Sequence, residues 1–275
     1  MRTKRWKCDR RVLAASALVW LPALLFAGKE TPPPAETNAS FLYQPAYAID
    51  KYVRLPAMPY HPKPGDLFFA VTESRIMRFG HHLSGAADPH HSGIVFARPD
   101  GSLAILEAGP FNATYVSGWN ALDHLVAYEK TERVYLRRRK CPLTPEQSAR
   151  LTSFAMLQVG KKFATWRVLG QLTPFRSRGP LRTEFCGKVR GDRERWFCAE
   201  LLVECLVATG LQNAETARPA ATYPRDLFFD SSPNPWLNEH LDLSADWHPP
   251  AQWTSVPYGS SPIPPRRIHR LWWNE

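Results

Sequence analysis

Cys198 lies where a polar segment meets a strongly apolar one, a position that can make a thiol reactive. Residues 187–196 are polar and contain two glycines, whereas residues 201–208 are almost all apolar and are followed by Gly210. The pattern predicts a buried helix that begins at Cys198 and ends near Gly210. A thiol in the first turn faces unpaired N–H groups and the positive end of the helix dipole, which favour the nucleophilic thiolate. On the helix alone, a cysteine that only packs is the better interpretation.

A predicted hairpin offers this thiol a base. Two β-rich runs flank residues 99–101. If these three residues form the loop, with Gly101 in the left-handed conformation, then Gly93 pairs with Glu107. His91 then lies on the same face as Glu107, diagonally across the ladder, where the carboxylate can hold the imidazole as a general base. A two-residue loop would put Glu107 on the other face, and the sequence leaves both registers open.

Five short motifs follow one another in an order that adds weight to this pairing. They are GDLFF (65–69), HSGIVF (91–96), LEAG (106–109), VGKKFA (159–164) and FCAELLVE (197–204). In this order the chain resembles the circularly permuted papain-like hydrolases, the YiiX/YebB-like relatives of the NlpC-type cell-wall peptidases. In that group the histidine precedes the cysteine along the chain, as it does here. The resemblance covers roughly residues 63–230.

The resemblance implies roles for three residues. Cys198 matches the nucleophile, His91 matches the base at the start of its strand, and Glu107 matches the residue that orients the imidazole. It also implies an α+β, papain-like fold in which an antiparallel sheet or barrel packs against the cysteine helix. The backbone N–H of Cys198 would then be one oxyanion donor. Ala199 departs from the family, in which a serine often follows the cysteine, and this leaves the substrate open.

Three functions compete at this point. The first is an exported thiol hydrolase that cleaves an amide or ester of a cell-wall peptide or another envelope substrate through an acyl-enzyme. A lipid acyltransferase or thioesterase would use the same chemistry. The third is a non-catalytic envelope-binding module, in which Cys198 is buried or disulfide-bonded to Cys186 or Cys205. Its binding surface would be a set of tryptophans: Trp236, Trp247, Trp253, Trp272 and Trp273.

The N-terminus predicts export or anchoring. A strongly basic start precedes an uncharged apolar run at residues 12–28, which is typical of a signal peptide or a membrane anchor. The basic flank is expected to stay in the cytoplasm, which would put the body of the protein in the periplasm or a similar compartment. We expect four regions. They are a signal peptide or anchor at 1–30, a Pro-rich linker at 31–60, the hydrolase domain at 61–232 and a Pro/Trp-rich extension at 233–275.

The charge of the chain argues against nucleic acid as a partner. The net charge is +10 over 275 residues, but residues 1–30 hold seven basic and two acidic residues, so half of the excess belongs to the leader. The remaining basic runs are not part of a recognisable nucleic-acid-binding module. A peptide, peptidoglycan or lipid substrate is expected instead, and residues 12–28 could associate with a membrane.

Other polar residues are expected to be structural. Asp66 is predicted to stabilise the start of a strand, Glu200 to complement the helix dipole, and Cys205 to pack. Four histidines at positions 81, 82, 90 and 91 suggest a metal site, but no helical spacing of ligands completes one. We therefore expect neither a metal nor another cofactor.

The coarse secondary structure follows from local patterns. A strand is predicted within 63–72, a loop at 78–91, further strand at 125–138, and a helix at 143–160 capped by Thr144. Residues 161–195 fit no clear element, and a lid over the site is one hypothesis for them.

Overall fold

The fold is organised around an eight-stranded antiparallel sheet. The computed structural model describes residues 40–43, 58–83, 86–109, 114–170, 180, 182–238 and 241–256. Within these, the strands of the sheet are β1 (Phe41–Tyr43), β2 (Met58–Pro59), β3 (Leu67–Thr72), β4 (His91–Ala97), β5 (Leu103–Ala108), β6 (Val116–Asn120), β7 (Glu132–Arg137) and β10 (Ala251–Thr254). Their order in the sheet is β2-β1-β10-β7-β3-β4-β5-β6. Two short strands, β8 (Lys162–Phe163) and β9 (Arg195–Trp196), form a separate parallel pair.

Helices pack around this sheet. They are α1 (Arg75–Leu83), α2 (Ala121–Glu129), α3 (Pro145–Gln158), α4 (Thr165–Gly170), α5 (Cys198–Thr209), α6 (Pro224–Phe229) and α7 (Pro235–Asn238). A π-helical turn covers Arg182–Cys186 and a 3₁₀ turn covers Pro219–Ala221. The predicted α+β class with an antiparallel sheet is thus confirmed, whereas the finer papain-like assignment stays a prediction.

The β4–β5 hairpin has the register that a three-residue loop requires. Gly101 adopts a φ of +83°, and the backbone N–H of Arg98 donates to the Ser102 carbonyl at 2.8 Å. Gly93 pairs with Glu107 across the ladder. Of the two registers that the sequence left open, the structure has the one that places Glu107 on the His91 face.

The helix α5 lies against β4 and β5 and next to α3. It begins at Cys198, and Gly210 ends it in the left-handed conformation with a φ of +77°. Its apolar residues are buried almost completely. Helix α3 begins as predicted, because Thr144 and Gln147 form a reciprocal capping box at its start. Both helices therefore confirm the boundaries read from the sequence.

Two local predictions were wrong. Residues 125–129, predicted as strand, belong to α2, which begins where the Asn120 side chain accepts a hydrogen bond from the Asp123 N–H. The β-branched and aromatic residues of this segment resemble a strand, but they pack as the buried face of a helix. Residues 78–83, predicted as loop, form most of α1.

The C-terminal segment is part of the sheet. Strand β10 lies between β1 and β7, so the expected boundaries near 60 and 232 cut through the sheet instead of delimiting it. Trp247 and Trp253 are buried, and their ring N–H groups donate to the Gly65 carbonyl and to the Ser40 hydroxyl. These two tryptophans are core residues, which corrects their assignment to a binding surface. Trp236 is partly exposed, while positions 272 and 273 lie outside the described residues.

The predicted leader also lies outside the described residues. In the part of the chain that the structure does describe, no helix has the length and apolar character needed to cross a membrane. Of the unexplained stretch 161–195, the described parts contain β8, α4, the π-helical turn and β9.

Candidate active site

Helix α5 presents Cys198 at its N-terminus, and a network of charged side chains fixes this end. The Glu200 carboxylate accepts a hydrogen bond from the Phe197 N–H at 3.4 Å. Glu200 is fully buried and paired with two guanidinium groups, Arg167 at 2.6 Å and Arg193 at 2.8 Å. The guanidinium of Arg167 also lies over the Phe197 ring. Glu200 therefore has the structural role that the sequence predicted for it.

His91, the first residue of β4, interacts with the Cys198 thiol, and this interaction helps to raise the pKa of the imidazole. Its Nε2 lies 2.8 Å from the Oε2 of Glu107, which leaves Nδ1 as the ring nitrogen available to the thiol. His91 and Glu107 are both buried, whereas Cys198 is partly exposed. The three predicted residues thus lie together, and of the three only Cys198 is partly exposed.

The Glu107 carboxylate has two further partners, which the sequence reading missed. His124 Nε2 lies 3.0 Å from its Oε1, and the Tyr128 hydroxyl donates to its Oε2 at 3.1 Å. Both residues are buried and lie one turn apart on α2. Their i, i+4 spacing places both side chains on one face of a helix. The sequence could have indicated this pairing only if the segment had been predicted as helical.

Glycines leave room for the imidazole. A Cβ at Gly109 would lie 2.8 Å from the Cε1 of His91, so only glycine fits the chain beside the ring. A Cβ at Gly93 would lie 2.7 Å from the Leu106 carbonyl oxygen. Both glycines belong to the motifs HSGIVF and LEAG, which explains part of the spacing within those motifs.

The electrostatics favour a thiolate–imidazolium pair. Burial alone would raise the pKa of Cys198, but the hydrogen bond and positive charge of His91, together with donors on Ser92, lower it. Burial alone would lower the pKa of His91, but the Glu107 carboxylate and the Cys198 thiol raise it well above its ordinary value. Between these two pKa values, both members of the pair are charged.

Glu107 stays ionised in spite of its burial. Burial alone would raise its pKa, but the imidazoles of His124 and His91 lower it well below the ordinary range. Burial and the neighbouring Glu107 charge raise the pKa of Tyr128, so its hydroxyl keeps its proton. The hydroxyl therefore acts as a hydrogen-bond donor to the carboxylate. The site therefore holds a permanent negative charge behind the imidazole, which is the arrangement that orients and stabilises an imidazolium.

Other predicted residues have structural environments. Asp66 accepts hydrogen bonds from the Tyr60 hydroxyl and from the N–H groups of Lys63 and Arg139. Cys205 is fully buried, and this burial raises its thiol pKa. The four cysteines within the described residues are all free thiols, so the disulfide that the binding-module hypothesis placed on Cys198 is not formed.

The histidine-rich segment splits between two elements. His81 and His82 lie in the last turn of α1, whereas His90 packs beside His91 and accepts a hydrogen bond from the Thr72 N–H at 3.1 Å. Among the described residues, no three histidine, cysteine, aspartate or glutamate side chains form a group that could hold a metal ion.

Comparison with known proteins yields a distant structural neighbour. No family model matches the chain, and no curated protein matches its sequence. Among solved structures, the metalloprotein YiiX from Escherichia coli O157:H7 is 21% identical, with a TM-score of 0.37. The alignment covers 58% of this chain and 69% of that chain.

Proposed function

We propose that the chain is a cysteine hydrolase that cleaves an amide or ester bond through an acyl-enzyme. The observation that carries this proposal is the contact series from Cys198 through His91 to Glu107 at the N-terminus of a buried helix. A cysteine that only packs needs no imidazole, and the pKa of Cys205 on the same helix is raised by burial and by the Glu204 charge. The lowered pKa of Cys198 and the raised pKa of His91 give the pair the charge state that thiol catalysis uses.

The first half-reaction forms the acyl-enzyme. The Cys198 sulfur attacks the carbonyl carbon, and the carbonyl oxygen takes the negative charge in a tetrahedral intermediate. N–H groups in the first turn of α5 have no partner within the helix, and the one on Cys198 is suited to stabilise that oxygen. As the bond to the leaving group breaks, His91 gives its proton to the leaving nitrogen or oxygen.

The second half-reaction restores the thiolate–imidazolium pair. Neutral His91 takes a proton from a water molecule, which attacks the thioester carbonyl and releases the acid. The thiolate leaves, and the proton stays on His91. Throughout, the charge of Glu107 holds the imidazole in place and stabilises its cationic form, because His124 and Tyr128 fix both carboxylate oxygens.

The substrate and location follow from the sequence as part of the same proposal. The basic, apolar leader favours export, and the resemblance to permuted papain-like hydrolases favours a cell-wall peptide or another envelope amide. The partial exposure of Cys198 next to buried partners is consistent with attack on an extended substrate that approaches from outside.

The test is the pH dependence of Cys198 alkylation by iodoacetamide, read by mass spectrometry in the wild type and in His91→Ala. The wild-type thiol is expected to react fast at least one pH unit below the ordinary cysteine pKa of about 8.5. His91→Ala should move the midpoint of the profile upward. Cys205 provides an internal control, since burial raises its pKa and it should stay unmodified. A Cys198 that is inert at every pH in the folded wild type would exclude the proposal.

A further inference from the structure

Helix α1 exposes two large apolar side chains. Ile76 is 69% exposed and Phe79 is 64% exposed. They are three residues apart in a nine-residue helix, so they lie on the same face. Single exposed apolar residues are common on protein surfaces. Two on one face of a short helix form an apolar patch that can bind a nonpolar surface.

A cationic residue borders this patch. Arg75 is exposed at the first position of the helix, and α1 contains no acidic residue. The preceding carboxylate, Glu73, is paired with Arg133 at 3.2 Å. An apolar helix face next to an exposed arginine is suited to the interface of a bilayer that contains anionic lipids.

The other side of α1 contacts the neighbourhood of the candidate site. The ring of His81 lies 5.0 Å from that of His90, the residue before the proposed base His91. Arg78 is paired with Asp88 at 2.8 Å, which joins the helix to the segment leading into β4. A partner surface that binds α1 would therefore lie close to the candidate active site.

We propose that α1 is a docking helix for a membrane rich in anionic phospholipid. Ile76 and Phe79 enter the boundary between headgroups and acyl chains, and Arg75 lies among the phosphates. Charge complementarity favours this partner over a second copy of the chain, because α1 has no acidic residue that could pair with the Arg75 of another copy. The apolar run at 12–28, which precedes the described residues, also favours a position next to a bilayer. Binding of α1 to the membrane does not depend on catalysis. The further step, in which a substrate in the membrane reaches Cys198, rests on the proposed hydrolase function.

The test is hydrogen–deuterium exchange of the full chain with and without vesicles. Two vesicle types are used, phosphatidylcholine alone and phosphatidylcholine mixed with phosphatidylglycerol. With the mixed vesicles, backbone amides of α1 are expected to exchange about tenfold more slowly, whereas phosphatidylcholine alone should give little protection. Residues 12–28 report separately on any insertion of the leader, since their peptides are resolved from those of α1.

Two double variants distinguish membrane binding by α1 from non-specific binding through other exposed apolar residues. Ile76→Ser/Phe79→Ser should abolish the protection of α1 by mixed vesicles. Met156→Ser/Leu157→Ser removes two exposed apolar residues of α3 and should leave the protection unchanged. The rate of Cys198 alkylation should be the same in both variants, so that a loss of docking is distinguished from a damaged site.

Three outcomes would overturn the proposal. In the first, the α1 amides exchange at the same rate with and without mixed vesicles, although residues 12–28 become protected. The second is protection that rises with protein concentration in the absence of lipid, which would indicate a second copy as the partner. The third is equal protection by both vesicle types, which would exclude recognition of anionic lipid.

Discussion

The Glu107 carboxylate receives three contacts from two elements. His91 comes from the neighbouring strand β4, and His124 and Tyr128 come from α2. Together they occupy both carboxylate oxygens in a buried environment, where an unpaired charge would be costly. The reactivity of Cys198 therefore depends on a residue that it does not contact, because Glu107 sets the charge of the intervening imidazole.

Replacing Glu107 by Gln should lower the reactivity of Cys198. The neutral amide no longer raises the pKa of His91, so less imidazolium is present to stabilise the thiolate. A loss of one pKa unit corresponds to a factor of ten, and we expect alkylation near pH 6 to slow by about tenfold or more. The measurement is the iodoacetamide rate across the pH range.

The matched control is Glu146→Gln, which removes an exposed carboxylate at the start of α3. Its alkylation profile should coincide with that of the wild type. If Glu107→Gln is folded by near-ultraviolet circular dichroism and still gives the wild-type profile, Glu107 does not govern the charge of His91.

At the scale of elements, the residue that follows β5 restricts the position of the His91 ring, in addition to the hydrogen bonds of that ring. Gly109 passes so close to the His91 ring that a methyl group there would lie 2.8 Å from Cε1. Such a contact requires one of the two to move. The imidazole is the side chain that can turn, and its rotation would break the contacts with both Cys198 and Glu107.

Gly109→Ala is therefore expected to reduce Cys198 alkylation at neutral pH by about tenfold, with a smaller effect on stability than on reactivity. Gly170→Ala is the control, because a Cβ at Gly170 would meet nothing within 4 Å. Equal alkylation rates in Gly109→Ala and in the wild type would show that the ring tolerates the methyl group and that this close approach has no role.

Elements held by local signals could be predicted, and those held by distant partners could not. The capping residue Thr144 acts within a few residues, so the start of α3 follows from the sequence. The turn at Gly101 is equally local and predicts a hairpin, but it allowed two registers, and only the structure decides between them. Helix α2 was missed because its apolar residues fit a strand as well as a helix, and packing over the sheet decides between them. Once α2 was missed, the contacts of His124 and Tyr128 with Glu107 could not be foreseen.

At the scale of the whole molecule, the two ends of the described chain meet in the sheet. Phe41 pairs with Thr254, and β10 continues the sheet from β1 to β7. A pairing between residues more than two hundred positions apart leaves no local pattern in the sequence, which is why the C-terminal segment looked like an extension. In the described part of this segment, Trp247 and Trp253 are buried in the core.

Trp253→Ala should consequently destabilise the whole fold. Trp253 is 1% exposed and donates to the Ser40 hydroxyl at 2.8 Å, so truncation leaves a cavity and an unpaired partner. We expect the free energy of unfolding to fall by about 3–5 kcal/mol in urea titrations. Trp236→Ala, at a position that is 44% exposed, should cost no more than about 1 kcal/mol. Similar losses in the two variants would contradict the placement of β10 within the core.

The charged pair behind the thiol should also give the fold a characteristic dependence on pH. The pKa of Glu107 is lower in the folded state, so its contribution to stability is present above the unfolded pKa of about 4.3 and is lost as the pH falls toward the folded value. The pKa of His91 is higher in the folded state, so its contribution is complete below about 6.5 and is lost as the pH rises through the folded value.

The difference in unfolding free energy between the wild type and Glu107→Gln should therefore be largest from about pH 4.5 to 6.5 and should shrink on both sides. Urea titrations at a series of pH values measure it, and Glu146→Gln should show no such maximum because its carboxylate is exposed. A difference that stays level above pH 7 instead of shrinking would mean that His91 is neutral in the folded protein. The Cys198 thiolate would then lack its counter-charge, and the stability curve would count against thiol catalysis independently of any substrate.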